Sequence, residues 1–145
     1  MPIGRDNMIS ILKKTVVPEL RQKGFKGSFP HYRRINEIKI DLMTFQFDRY
    51  GGGFVIEVGV CSPEGVTHNW GERVLPNKVT AHDLPHNNRL RLKNSEGEWF
   101  RYDVETESGD IDEIVAKEVL LHLSEAENIG NIRGKNVALI SFKEK

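Results

Sequence analysis

The longest regular pattern of apolar and polar residues lies between Ile35 and Cys61, and it predicts two antiparallel strands joined by a turn. Every second residue of its later half is apolar, which is typical of a strand with one face on a core: Phe54, Ile56, Val58 and Val60. On the other face, Gly59 predicts a β-bulge or the close approach of another part of the chain. Three consecutive glycines at 51–53 predict a loose connection rather than a two-residue turn.

The earlier half of this pattern changes phase near Leu42. Apolar residues occupy even positions up to that point and odd positions after it: Ile38, Ile40 and Leu42, then Met43, Phe45 and Phe47. Because successive side chains of a strand point to opposite faces, the buried face cannot change without a cause. Either a β-bulge near Leu42 and Met43 re-aims the side chains, or other elements cover both faces of the far half.

Helical spacing predicts one helix before these strands and one after them. The first extends over residues 6–23, with Asp6 or Asn7 as its cap and a kink, or a junction of two short helices, at Pro18. Its apolar stripe is Ile9, Leu12, Val16 and Leu20. Gly24 is expected to end it in a Schellman motif. The second helix is predicted over residues 110–127, with a capping-box-like start.

Three further segments complete the predicted sheet. Residues 29–34 predict an edge strand, because Pro30 cannot donate a hydrogen bond to a neighbouring strand. Residues 89–93 and 99–102 predict a second hairpin. The long irregular segment 62–88 connects Cys61 to this second hairpin, and we expect it to wrap one edge of the sheet.

This order of elements predicts an α+β fold, with an antiparallel meander of about five strands and both terminal helices packed on one face. The length of 145 residues predicts a single domain over 1–145. A final apolar run at 137–142 is compatible with a helix or a strand.

Charge and cysteine content narrow the cellular setting. The 21 basic and 21 acidic residues balance, but basic residues predominate up to Arg101 and acidic residues after it. The single cysteine, Cys61, is expected to be a buried thiol, which fits a reducing compartment and hence the cytoplasm. The N-terminus lacks the long apolar run of a signal peptide or membrane span.

No motif in the sequence predicts catalysis, a metal site or a cofactor. His82 and His86 have the spacing of a helical metal pair, but Pro85 disfavours a helix across them, and no zincin glutamate or cysteine pair accompanies them. Nucleophile-elbow, P-loop and dinucleotide fingerprints are all missing from the sequence. We therefore predict no catalytic residues, no metal and no cofactor.

A ligand cleft is the first alternative to a purely structural interpretation. Thr44 and Gln46 bring polar side chains onto the strand face that carries Ile40, where they need hydrogen-bond partners. Either they hold a neighbouring loop or lie exposed beyond a bulge, or they line a cleft. The candidate ligand-binding residues of that cleft are Gln46, Tyr32, Arg33, Thr44, His82 and His86.

A basic, aromatic sheet face is the second alternative, since such faces stack single-stranded bases. Its candidate residues are Lys26, His31, Tyr32, Arg33, Arg34, Arg89, Arg91 and Arg101. The sequence lacks the glycine-aromatic spacing of an RNA-recognition strand, and it is not basic overall. A charged solvent face, partly paired with the acidic helix, explains these residues better.

Several of these features together resemble a bacterial domain-of-unknown-function family, DUF4304, from about Met8 to Leu123. The residues that carry the resemblance are Gly24-Phe25, Tyr32-Arg33-Arg34, Gln46, Phe54, Val58-Gly59-Val60 and Trp99-Phe100. The resemblance implies a small intracellular α+β domain with no assigned activity, and it supplies no catalytic residues. The segment 62–88 is the part that matches least well.

The sequence thus leads to three hypotheses about function. The first is a non-enzymatic binding module that uses one sheet face or the long loop to hold a protein partner. The second is a small ligand-binding protein or enzyme with a cleft near Gln46, which would need a histidine or carboxylate of perturbed pKa in that cleft. The third is a binder of single-stranded nucleic acid. The oligomeric state is not predicted.

Overall fold

The computed structural model describes residues 4–94, 96–104 and 110–123, with the side chain of His86 outside this description. Its elements in chain order are α1 (Arg5–Gln22), β1 (Lys26–Ser28), β2 (His31–Ile35), β3 (Ile40–Phe47), β4 (Gly53–Cys61), β5 (Val66–Thr67), β6 (Arg73–Val74), 3₁₀ turns at Ala81–Asp83 and His86–Asn88, β7 (Arg89–Arg91), β8 (Phe100–Arg101) and α2 (residues 111–123). The main sheet is antiparallel in the order β1-β2-β3-β4-β7, and β8 also pairs with β4. The predicted α+β fold is confirmed.

The larger core lies between this sheet and the two helices. From α1 it contains Met8, Leu12, Val16 and Leu20; from α2 it contains Val115, Ala116, Val119 and Leu123. From the sheet it contains Tyr32, Met43, Phe45, Phe54, Ile56, Val58, Leu92 and Phe100, with Tyr102 just beyond β8. The predicted stripe of α1 is therefore correct except that Met8, not Ile9, is its first buried residue. Both helices pack on one face, which leaves the opposite face of the sheet for the rest of the chain.

The phase change in β3 reflects a second layer and not a bulge. Pairing with β4 runs without interruption from Ile40 opposite Cys61 to Phe47 opposite Phe54. Odd-numbered residues of β3 face the helices. Its first even-numbered residues join a second, smaller core with the long loop: Ile40, Leu42, Cys61, Val79, Ala81 and Leu84. Of the two alternatives the sequence allowed, the one without a bulge is correct, but the half covered on both faces is the first, at Ile40 and Leu42, and not the far half, where Gln46 is exposed.

The long loop covers a sheet face, so the prediction that it wraps an edge was wrong. Its apolar residues at 79, 81 and 84 gain burial by packing on the part of this face that carries Ile40, Leu42 and Cys61. Gly59 permits this packing: a Cβ at that position would meet the Leu84 side chain and lie 3.2 Å from the Asn88 carbonyl oxygen. The close approach expected at Gly59 is confirmed.

Two strand predictions also need correction. Residues 29–34 do not form an edge, because β1 pairs outside β2, with Ser28 opposite His31. The second hairpin does not form either. β7 and β8 both pair with β4, at residues 57–59 and 53–54, and Asn94 bridges to Gly97 within the segment between them. β4 has nine residues and can accommodate both short strands along a single edge.

The helix ends are partly as predicted. α1 begins after Gly4 in a left-handed conformation, not at an Asp6 or Asn7 cap, and it continues through Pro18 as one helix. Burial of residues on both sides of Pro18 in one core explains this continuity. The Schellman motif at Gly24 is confirmed, with the Phe25 amide donating to the Leu20 carbonyl at 2.9 Å. The predicted end of α2 near residue 127 and the run at 137–142 lie outside the described residues.

Candidate functional site

The sheet face opposite the helices, here called the outer face, carries the polar side chains with functional potential. It presents alternate residues of each central strand, among them Thr44 and Gln46 of β3 and Glu57 of β4, which lies opposite Thr44 in the register. The long loop covers the half of this face that bears Ile40 and Leu42. The outer face therefore has a boundary under the loop and an uncovered end at Gln46.

A cluster of polar residues lies at this boundary. His31 Nδ1 is 3.0 Å from Thr44 Oγ1, and the His31 ring meets the edge of the His82 ring at a centroid distance of 5.6 Å. His82 Nε2 is 3.7 Å from Glu57 Oε1, and Arg89 Nη1 is 3.5 Å from the same carboxylate. We call these five residues the histidine–glutamate cluster. It links four strands of the main sheet to the 3₁₀ turn of the loop.

The electrostatics of the cluster favour a structural role for it. The Glu57 carboxylate is nearly buried, and such a charge needs the opposite charge that Arg89 supplies. The adjoining turn is held by Asp83, which accepts hydrogen bonds from the Thr80 amide at 2.8 Å and pairs with His68 at 3.1 Å. Within the described residues, no group of three or more histidine, cysteine, aspartate or glutamate side chains is arranged to hold a metal ion.

His31 makes this region sensitive to acid. Burial lowers the pKa of His31 below 6.5, and the neighbouring His82 and Arg33 lower it further, against an opposing influence of Asp83. An unfolded chain takes up this proton at a higher pH than the folded one, so the contribution of His31 to stability is present above pH 6.5 and is lost as the pH falls through the folded pKa. We expect His31→Gln, which keeps a polar group beside Thr44, to weaken the acid dependence of the unfolding free energy. Urea titrations of both proteins between about pH 5 and pH 8 measure it.

The alkaline half of the same titration is the internal control. Above about pH 7.5 both proteins carry no charge at position 31, and the difference in their unfolding free energies should stay constant. An equal fall in stability on acidification for both proteins would contradict the assignment to His31.

An open groove of about 430 Å³ occupies the uncovered end of the outer face. We call it the Gln46 groove, and its lining residues are Gln46, Phe47, Asp48, Arg49, Tyr50, Val55, Arg91 and Trp99. Gln46 is exposed and lies opposite Val55 in the sheet register, so a rigid strand pair forms the floor. The sheet continues beneath the groove, while the long loop stops short of it.

Aromatic and cationic side chains form the walls of the Gln46 groove. Tyr50 is 83% exposed, and the Arg49 guanidinium lies 5.2 Å from the centre of its ring. Trp99 is 36% exposed, with the Arg101 guanidinium 5.6 Å from its ring. Each pair combines a flat apolar surface with a cation, an arrangement that suits recognition.

The connection that carries Tyr50 is hydrogen-bonded, contrary to the predicted loose loop. Asp48 Oδ1 accepts from the Tyr50 amide at 2.9 Å, and the Asp48 carbonyl accepts from the Gly51 amide at 2.9 Å. Gly51 and Gly52 both have positive φ, which glycine adopts without strain. The turn therefore holds Tyr50 in a defined place at the rim of the groove.

The structure places the described candidates for one cleft in different surroundings. Thr44 and His82 both belong to the histidine–glutamate cluster. Gln46 lines its own groove, two residues further along β3. Tyr32 packs in the core on the helix side, and Arg33 donates from Nε to the Val79 carbonyl at 2.9 Å. His86 belongs to a 3₁₀ turn, and its side chain is not described.

The basic sheet face is divided in the same way. Tyr32 and Arg34 point to the helix side, where Arg34 bonds Asp41 at 2.9 Å. Arg89 pairs with Glu57 on the outer face.

Sequence reasoning missed the residues that complete both sites. Glu57 was visible as one acid in a strand that is otherwise apolar, but its partners come from distant segments. Tyr50 and Trp99 lie 49 residues apart, and only the pairing of β8 with β4 brings them to one groove. A prediction that residues 99–102 pair with β4 would have placed Trp99 close to Tyr50.

Comparison with known proteins agrees with the resemblance seen in the sequence. No curated protein and no solved structure matches the chain. No helix among the described residues is long and apolar enough to cross a bilayer. A family model described as a domain of unknown function, DUF4304, matches residues 16–126. Because that match includes both helices' core residues from Val16 onwards and the whole described sheet, the protein belongs to the DUF4304 family.

Proposed function

We propose that this domain is a non-enzymatic binding module and that it holds a protein partner in the Gln46 groove. The observation that carries the proposal is the groove's composition. Tyrosine, tryptophan and arginine are the residues that dominate binding energy at protein interfaces, and the groove presents Tyr50, Trp99 and Arg91 around one exposed glutamine.

The lining of the groove favours binding over catalysis. An enzyme active site needs a positioned acid, base or nucleophile, often with a shifted pKa. Among the described residues, the groove is lined by one carboxylate, Asp48, which is engaged in its own turn, and by no histidine. The histidines of the outer face lie instead in the histidine–glutamate cluster and in the loop that covers it. The alternative of an enzyme with a cleft near Gln46 is therefore less well supported than a binding module.

A protein partner suits the groove better than a nucleic acid. Stacking aromatics and arginines would serve single-stranded bases, but that mode also requires free positive charge along the backbone. Here Arg91 lies 3.5 Å from Glu98, and Arg101 lies 3.9 Å from Asp103. Mixed charge at the rim of an aromatic groove is characteristic of a protein interface. The free buried thiol of Cys61 supports a reducing, cytoplasmic location.

Site-specific photo-crosslinking in the native host tests this proposal. A photo-reactive phenylalanine analogue at position 50 should yield a discrete crosslinked protein, and Trp99→Ala in the same chain should abolish that adduct. The loss has a physical reason, since truncating an aromatic anchor typically costs about 2 kcal/mol or more of binding free energy. Mass spectrometry of the adduct identifies the partner.

Trp70→Ala is the matched control, because Trp70 is also an exposed tryptophan but lies in the loop, stacked on His68. It should leave the adduct unchanged. A crosslink that survives Trp99→Ala would remove the groove from the interface. Retention of the pure protein on polynucleotide at low salt, lost in Trp99→Ala, would instead favour nucleic acid.

A further inference from the structure

A second groove lies at the other side of the outer face, away from the Gln46 groove. It runs between the β1–β2 edge and the loop segment 77–80, in two connected parts of about 210 Å³ and 380 Å³ that share Arg33 and Asn77. Its cationic residues are Lys26 and Arg33 in the first part and Arg33 and Lys78 in the second. We call it the basic groove.

The charge of the basic groove is one-sided. Neither part is lined by an aspartate or glutamate among the described residues, whereas three lysine or arginine side chains line them together. The carboxylate with the most evident influence is Asp83, which opposes the lowering of the Arg33 pKa caused by burial. Asp83 is already bound to the Thr80 amide and His68. The described lining of the groove is therefore positively charged.

The Arg33 guanidinium is held in a position from which it can donate hydrogen bonds to an anion in the groove. Its Nε donates to the Val79 carbonyl at 2.9 Å, which fixes the plane of the guanidinium. Its Nη1 lies 3.5 Å from the point where a Cβ on Gly27 would stand, so the fork extends over the glycine at the groove floor. Within the described part of the chain, the Val79 bond is the one hydrogen bond of this guanidinium. An immobilised fork with free Nη donors matches two oxygens of a phosphate.

The remaining lining residues fit a phosphate with a small organic group attached. Ser28, Asn77 and Thr80 contribute side chains that can donate hydrogen bonds. His31 contributes a ring surface beside them, whereas the Phe29 ring packs on Phe45 on the helix side of the sheet. The larger part has the volume of a small-molecule site.

We propose that the basic groove binds a small phosphate monoester, with the dianionic phosphate near Arg33, Lys26 and Lys78 and the organic group against the His31 ring. This site is separate from the Gln46 groove and independent of the function proposed for it. Arg33, Lys26 and Lys78 attract a phosphate dianion more strongly than a carboxylate, which carries one negative charge.

Titrations of the intact protein followed by amide NMR shifts test the site. The probes are inorganic phosphate, phenyl phosphate and acetate, each at constant ionic strength. We expect saturable shifts centred on Gly27, Asn77 and Lys78, with phenyl phosphate binding several-fold more tightly than inorganic phosphate and acetate at least tenfold more weakly. Equal affinity for acetate and phosphate, or shifts that do not saturate, would overturn the proposal.

Charge-removing variants locate the site. Lys26→Gln and Lys78→Gln change exposed side chains and should each weaken phenyl phosphate binding about three- to tenfold, since each removes one attractive charge near the anion. Lys93→Gln is the matched control, because Lys93 is exposed and lines neither part of the basic groove. An equally large loss of affinity in Lys93→Gln would show that the effect depends only on the net charge of the protein, and it would refute the site.

Discussion

Replacing Phe54 by alanine is expected to lower the free energy of unfolding by about 3–5 kcal/mol, the range for truncating a fully buried phenylalanine. Phe54 is inaccessible to solvent and lies at the centre of the aromatic core. Its ring centre is 4.9 Å from that of Phe47 and 5.4 Å from that of Phe100. Phe45 and Tyr102 pack at 6.1 Å and 6.5 Å. No neighbour can fill the resulting cavity without leaving its own packed position.

The size of this effect matters because a domain of this kind has about 5–15 kcal/mol of stability in total. Phe54 pairs with Phe100 across the β4–β8 register, so the loss also loosens the strand that positions Trp99. Urea denaturation followed by circular dichroism measures the change. Tyr50→Ala is the control, since Tyr50 is largely exposed and its truncation should change stability by no more than about 0.5 kcal/mol. A cost below about 1 kcal/mol for Phe54→Ala would contradict this description of the core.

Cys61 is expected to react about 10³-fold more slowly with a thiol reagent in the folded protein than in the unfolded chain, at about pH 8. Burial among Ile40, Leu42 and Leu84 raises the pKa of its thiol to about 12, and the negative charge of Asp83 adds to this effect. The thiolate is the reactive species, and its fraction falls tenfold for each unit by which the pKa rises above the pH. Steric exclusion of the reagent acts in the same direction.

Absorbance at the release of the reporter group measures the reaction, with and without concentrated guanidinium chloride. A folded-state rate within tenfold of the unfolded rate would contradict the burial of Cys61 beneath the loop. The same pKa shift affects stability. The unfolded thiol loses its proton near pH 9.0, so the stability that Cys61 confers is present below that pH and is lost as the pH rises towards about 12. Cys61→Ala should remove this alkaline component.

The two grooves divide the outer face between different chemistries. The Gln46 groove has aromatic walls, and Arg91 and Arg101 lie beside carboxylates, which suits a protein surface. The basic groove has unbalanced positive charge over a glycine floor. The loop between them packs on Ile40 and Leu42, and the histidine–glutamate cluster secures its edge. A ligand in the basic groove would contact segment 77–80 of that loop directly.

Local signals in the sequence were sufficient for most of the elements. The helix end at Gly24 follows from the conformational freedom of glycine and a contact five residues apart, and both are local. The alternation in β4 identified a strand, and the five-strand antiparallel sheet with helices on one face followed from the order of elements. The failures were non-local: the partner of the 29–34 strand, the alignment of β7 and β8 on one edge, and the face that the loop covers.

The candidate site was predictable in composition and not in arrangement. Sequence periodicity placed Thr44 and Gln46 on one strand face, and the register confirms this. It could not reveal that a loop ends between them, so that Thr44 is covered and Gln46 is open. Alternation alone puts the neighbours Tyr32 and Arg33 on opposite faces of β2, but which of them faces the core depends on the side of the sheet that the helices occupy.

The sequence by itself determined the fold class, the family and the principal secondary-structure elements, because these depend on periodicity and on residues close together in the chain. Only the tertiary structure decided that the first half of β3 is covered on both faces, that Glu57 meets Arg89 and His82, and that Tyr50 and Trp99 share a groove. Each of these contacts joins segments far apart in the chain. Their formation depends on how the two cores pack, and no local pattern encodes that packing.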